Sequence, residues 1–478
     1  MDALERLKTE VFGKQKVLAK ICAKFGSASL LNYTEGWSIS RPSDNSRKFF
    51  ALARRQLIKI YPNTIVDEAL AQVNQQPLVS TIDHHGVLNH PFFINSNLIY
   101  SQHSGLKYLL CLSTAGISLN NSSWPGCLLI TGQDASLERF SFFRDKNKTQ
   151  AVLATKAFAL QDVLRVESQI NSANFLSAGG RKRLLGLTRE VFRDPGLLEL
   201  KDFSAQASRI STALWQKTFP GAPKLLYLPL EGLIAEIILS EIIPEKGHIL
   251  HKLFFTQSGW DALEKYFLGS LGAFSSEHKG SFLFWGIDAK GRRKRVARRA
   301  GNLFGAGFKS YQSVQEIANA LSQKELYPTS LGCFLVLLYY GVTCLGGFNQ
   351  VNWLTDIKEK FAGLLKELGE PELSAGVDLI PTENFAEGIL ALDLDRQGAV
   401  YKPSALDLFL KNDPEIQKKY RKLAASLTVS ESMDSQLPEI YKVITPALLR
   451  SASLLKITEA EIVKSSGLAD KVKTVFLA

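Results

Sequence analysis

The chain has 478 residues, is 45% hydrophobic and 22% charged, and carries a formal net charge of +11. That composition excludes an extensively disordered or fibrous chain, and at roughly 150 residues per domain the length leaves room for two or three cored units. The basic balance favours anionic partners, but no basic stripe with interleaved aromatics accompanies it, so specific nucleic-acid binding is not expected.

Taken in chain order, residues 1–26 read as an amphipathic helix, with Leu4, Leu7, Val11, Leu18 and Ile21 recurring among lysines. The opening Met1–Arg6 lacks the apolar core of a signal peptide, and the expected location is the cytoplasm. A Ser/Asn/Pro-rich loop at 38–47 precedes helical stretches at 48–59 and 67–75. Leu78–Ile82 is a short β-rich run ending in Asp83-His84-His85-Gly86, and Pro91 then opens a helix through Tyr100. A second apolar run, Tyr108–Ser113, stands at the distance of the next parallel strand of a βαβ unit. The reading is therefore an α/β protein with a parallel sheet, and ligands of such sheets bind at the carboxyl ends of the strands, where Asp83 lies.

Further on, 155–187 is helical with a break at Gly179-Gly180, Lys224–Leu228 is a strand, and Leu230–Ile242 is a helix. Phe282–Trp285 with the turn at Lys290-Gly291 predicts a hairpin. Leu331–Phe348 is apolar, yet it is shorter than the ~20 residues of a membrane span and is interrupted by glycines. It reads as a buried helix running into a glycine turn, and no membrane partner is expected. The tail beyond Pro381 is mostly helical. Domain bounds of 1–60 (helical segment), 61–380 (core with inserted segments) and 381–478 (helical region) follow. The five cysteines, Cys22, Cys111, Cys127, Cys333 and Cys344, form no CxxC pair and imply a reduced state.

The chemistry-bearing cluster is His84, His85, His90 and His103 beside Asp83, four of the seven histidines within twenty residues. One reading makes them acid–base groups, or donors to a phosphate or carbonyl oxygen. Another makes His84, His85 and His90 ligands of zinc or iron, although D-H-H-x4-H matches no established ligand spacing. A third leaves a non-catalytic binding protein. His103, His248 and His251 read as structural. Downstream, Asn120 and Asn121 form a polar turn at the ligand-facing end of the second strand, Arg181-Lys182-Arg183 and Arg292–Arg295 are candidate anion contacts, and Trp353 reads as core.

The segment from Thr81 through Asp83, His84, His85, Gly86, Asn89 and His90 to Pro91 resembles the bacillithiol synthase pattern T-G-Q-Q-x-G-x-x-x-G-P at its threonine, at Gly86 and at its proline. Gly346-Gly347 followed by Gln350 and Trp353 is similar to that family's G-G-P-x-E run, and Arg292 and Arg293 to its basic hairpin. The resemblance implies a Rossmann-like core with helical connecting segments, a shortened helical C-terminal region, homodimerisation, and amide formation between an amine such as cysteine and a small anionic metabolite. Departures stand at the site itself: Asp83 and His84 replace two glutamines, His90 a glycine, and Gln350 an acidic residue. On this reading Asp83, His84 and His90 are catalytic. Thr81, His85, Gly86, Asn89, Asn120, Asn121, Arg292, Arg293, Gly347 and Gln350 contact an amino acid and an anionic metabolite. The cofactor is left between ATP or ADP and zinc or iron, the chain having no P-loop.

Overall fold

The computed structural model describes residues 3–88, 90–131, 136–270, 281–299, 302–305, 310–395 and 397–477. It is a mixed α/β protein, 56% helical, built around a four-stranded, all-parallel sheet. The strands of that sheet are β1 (Leu78–Ser80), β2 (Tyr108–Ser113), β3 (Lys224–Pro229) and β4 (Thr343–Leu345), in spatial order β4-β1-β2-β3. Register sets Val79 against Cys344, Ser80 against Cys111 and Cys111 against Tyr227. The chain therefore steps one way from β1 through β3 and then crosses to the far side of β1. Such a reversal opens a crevice at the carboxyl ends of the two strands that flank it.

These strands are apolar without alternation because helices cover both faces. Leu78, Leu109, Cys111, Leu225, Tyr227 and Leu345 enter one core; Val79, Leu110, Leu112, Leu226, Leu228 and Cys344 enter the other. Residues at the two ends of the chain complete these cores. Leu7, Leu18 and Tyr33 join Phe385, Leu423 and Val472 in the first, and Phe49 and Phe50 lie in the second. The stretches 1–60 and 381–478 thus share cores with the sheet.

Several local expectations are revised. The opening helix is two, Ala3–Lys14 and Lys16–Phe25. Gly179-Gly180 do not interrupt a helix but occupy the first turn of Ala178–Leu187, which Ser177 caps through the Gly180 amide at 3.1 Å. The hairpin Cys127–Thr131/Leu137–Ser141, the helix Phe203–Thr218 and β4 add to the elements read from the sequence. The Lys290-Gly291 turn does join two strands, Phe284–Ile287 and Arg293–Arg299, of a five-stranded antiparallel sheet that ends at Leu326–Pro328. Among the described residues no helix is long and apolar enough to cross a membrane.

Candidate functional site

Beyond β1 the backbone keeps pairing with that of β2: Thr114 donates its amide to Asp83 O at 2.8 Å, and His85 donates its amide to Thr114 O at 2.8 Å. The side chains then diverge. Asp83 and His85 both turn toward Tyr227, whereas His84 faces Ser123. Asp83 is fully buried under the helix Pro91–Tyr100 and accepts from Ser96 Oγ at 2.9 Å and Asn97 Nδ2 at 2.7 Å. Burial outweighs these bonds and pushes its carboxyl up to about 6. Asp83 therefore does not orient His84; it holds the helix that carries His90 at its start.

His85 is also fully buried, stacked on Tyr227 with ring centroids 5.2 Å apart. Its Nε2 donates to Ser204 O at 2.8 Å, its Nδ1 lies 2.6 Å from Ser113 Oγ, and burial holds its pKa down to about 4. With both nitrogens bonded inside the protein, neither the substrate contact nor the metal ligation expected of His85 has a free atom to use.

His84 and His90 are half-buried and share the aromatic ring of Phe93, at 5.2 and 5.6 Å between centroids. Their ring nitrogens are held by different partners. His84 Nδ1 lies 3.2 Å from Ser123 Oγ, which also stands 3.0 Å from Asn121 Oδ1; which of the two receives the single hydroxyl proton depends on the His84 tautomer. His90 caps the helix Pro91–Tyr100 by accepting the Phe92 amide at Nδ1, 3.3 Å away, so its Nε2 bears the proton. Burial, reinforced by His84 and the Lys402 ammonium, pushes His90 down to about 4; burial also lowers His84. Lys402 stands over the Phe92 ring at 5.4 Å and pairs with Glu459. The site thus sets a second imidazole beside the His90 Nε2–H donor, with a cation close by.

The other expected residues divide. Thr81 and Gln350 are buried and bonded to each other, with Thr81 Oγ1 donating to Leu345 O at 3.2 Å; they tie β1 to β4 and contact no open space. Gly86 is pressed on Pro125, whose Cα and carbonyl oxygen would lie 2.5 and 2.7 Å from an added Cβ. Asn121 holds Ser123, and Asn120 is exposed and accepts from Ser118 at 2.7 Å. Arg292, expected as an anion clamp, is bound within its own hairpin to Asp288, Nε to Oδ2 at 2.8 Å. Arg293 instead lies over Trp285 at 4.3 Å and reaches the Gly116 carbonyl at 3.4 Å, in the loop after β2. Of the other basic run, Arg181 donates to Ala173 O and Arg183 to Phe409 O and Asn412 Oδ1. Asn89 lies outside the described residues.

Two carboxylates escaped the sequence reading. Glu231 is buried in the first turn after β3 and accepts the Ala115 and Gly116 amides at 2.7 and 2.9 Å, shaping the loop after β2. Its place directly behind a strand was a usable signal. Glu387 accepts the Phe348 amide at 2.8 Å, and its carboxyl carbon would stand 3.0 Å from a Cβ on Gly347. Burial, with the Asp83 charge adding to it, pushes Glu387 up to about 7. Nothing near Glu387 in the sequence announces a site.

The three-histidine metal reading does not fit. Among the described residues no group of three or more His, Cys, Asp or Glu side chains is disposed to hold a metal ion, which corrects the alternative of zinc or iron on His84, His85 and His90. Among the described residues of this loop the Phe92 amide at the head of the helix is taken by His90 and Gly86 is packed on Pro125, so neither is open to the phosphates of ATP or ADP. Fold and site together define a mixed α/β protein with a pair of half-buried histidines at the carboxyl end of a parallel sheet. No protein-family model matches the chain, and a search of curated proteins finds no match.

Proposed function

We propose that the chain is a Rossmann-like ligase or transferase, related in chemistry to bacillithiol synthase, that joins an amine, cysteine or another amino acid, to a carbonyl on a small anionic metabolite. The observation that carries this reading is the pair of imidazoles on one aromatic ring, His84 and His90 against Phe93, with His90 accepting the Phe92 amide at Nδ1 and so carrying its proton on Nε2. As the amine nitrogen attacks the carbonyl carbon it sheds a proton, which the His84 Nε2 lone pair accepts; the same proton then leaves with the departing group. The His90 Nε2–H, with Lys402 near it, steadies the charge that grows on the carbonyl oxygen. Lowered pKa values keep both imidazoles neutral at pH 7, the state each role needs. The acceptor enters this step already activated, as an ester, thioester or acyl phosphate. Arg293, which reaches the Gly116 carbonyl in the loop after β2, is the residue of the basic hairpin to which this reading gives the anionic group.

The test is mass spectrometry of amide products after incubating the purified chain with amino acids and activated anionic acyl donors. Amide formation that disappears in His84→Gln and falls in His90→Ala supports the reading. Product formed equally by both variants, or no amide from any pair while the protein binds neither amine nor acid, removes it.

A further inference from the structure

A cavity of about 550 Å3 opens beyond the carboxyl end of β3, where the sheet meets the helix Leu230–Ile237 and the strand Leu326–Pro328. Neither His84 nor His90 lines it. Its size falls in the range of small-molecule pockets, roughly 300–1,000 Å3. Leu153, Leu228, Leu233, Leu239 and Tyr327 form an apolar wall, and the exposed residues Lys59, Lys201 and Lys324 also border it.

The charges there do not cancel. Lys59 pairs with Glu236 at 3.5 Å and Lys324 with Asp202 at 2.7 Å, both acids also lining the cavity, while Lys201 makes no ion pair among the described residues. Lys324 is the left-handed residue, φ +59°, that closes the helix Val314–Ser322, with the Lys324 and Glu325 amides donating back to Leu321 O and Ala320 O at 3.1 and 2.8 Å. One unpaired ammonium beside an apolar hollow matches one negative charge on an apolar body. A hollow of this kind left to water would leave its leucines wetted, and a second anionic charge would have to displace Glu236 or Asp202.

We infer that this cavity is a binding site for an amphipathic monocarboxylate, its apolar body against Leu228, Leu233 and Tyr327 and its carboxylate on Lys201. The site is independent of the two-histidine site, so the failure of either reading leaves the other standing.

Decanoate, decanol and acetate serve as probes in calorimetric titrations of the full chain. Saturable binding of decanoate at one site is expected, with decanol and acetate both weaker. Lys201→Gln, an exposed change that leaves the cores intact, should weaken decanoate about fivefold. Leu239→Trp, at a half-buried wall position, should abolish binding while the circular dichroism spectrum stays unchanged. Decanoate binding that never saturates, that decanol equals, or that survives undiminished in both folded variants overturns the inference.

Discussion

Replacing Asp83 with asparagine separates its structural role from its charge. The carboxyl is fully buried and its pKa is pushed from 3.8 up to about 6, so the folded chain holds this proton more tightly than the unfolded chain does. Its contribution favours the fold fully below pH 3.8 and is lost as pH rises through about 6. Two units at 1.36 kcal/mol each make the ionised group worth about 3 kcal/mol of destabilisation at pH 8. Asparagine keeps an acceptor for Ser96 and loses the bond from Asn97 Nδ2, which costs about 1 kcal/mol. Asp83→Asn should therefore be more stable than the parent by about 2 kcal/mol at pH 8 and less stable by about 1 kcal/mol at pH 4. The assay is urea unfolding of both proteins across that range. Only their difference isolates Asp83, because His85 and His90, whose pKa values are lowered to about 4, pull stability the other way as pH falls from 6.5. A variant that is less stable at pH 8, or a difference that does not change with pH, would refute the account of Asp83 as a buried charge under strain from desolvation.

Four further outcomes are expected. His85→Phe removes the partner of Ser113 and Ser204 and should cost about 2–4 kcal/mol in chemical denaturation, with no change in the pH profile of any activity in the surviving protein. Gly86→Ala sets a methyl against the Pro125 backbone, which cannot yield as a flexible side chain can, and thermal unfolding should show a loss of about 2–3 kcal/mol; Gly347→Ala, which meets the end of the Glu387 side chain, should cost less. Ser123→Ala removes the hydroxyl that holds His84 Nδ1 and so the orientation of its ring, and kcat for amide formation should fall about tenfold or more with KM nearly unchanged, while asparagine-to-aspartate exchange at Asn121 should shift the acid limb of the pH–rate profile upward. Arg293→Gln should raise KM for an anionic acceptor several-fold, while Arg292→Gln, whose guanidinium is already held by Asp288, should leave it unchanged.

By itself the sequence determined the crossover that bears the site. Leu78–Ser80 and Tyr108–Ser113 are apolar runs closed by turn residues, and proline at the first helical position after His90 marks where the helix begins. These are local signals, set by residues that are neighbours in the chain. What the tertiary structure alone decided is which side chains of that loop meet open space. Asp83 and His84 are adjacent in sequence, yet one bonds Asn97 under a helix and the other bonds Ser123, and no pattern in Asp-His-His-Gly distinguishes them. The fourth strand, Thr343–Leu345, is three residues buried on both faces, so it shows neither alternation nor length and reads as part of a glycine turn. Glu387 and Lys402 arrive from the far end of the chain because the C-terminal helices share a core with the sheet. Periodicity reports that a residue is buried; it does not name the partner, because partners are chosen by contacts between segments that the chain brings together only on folding.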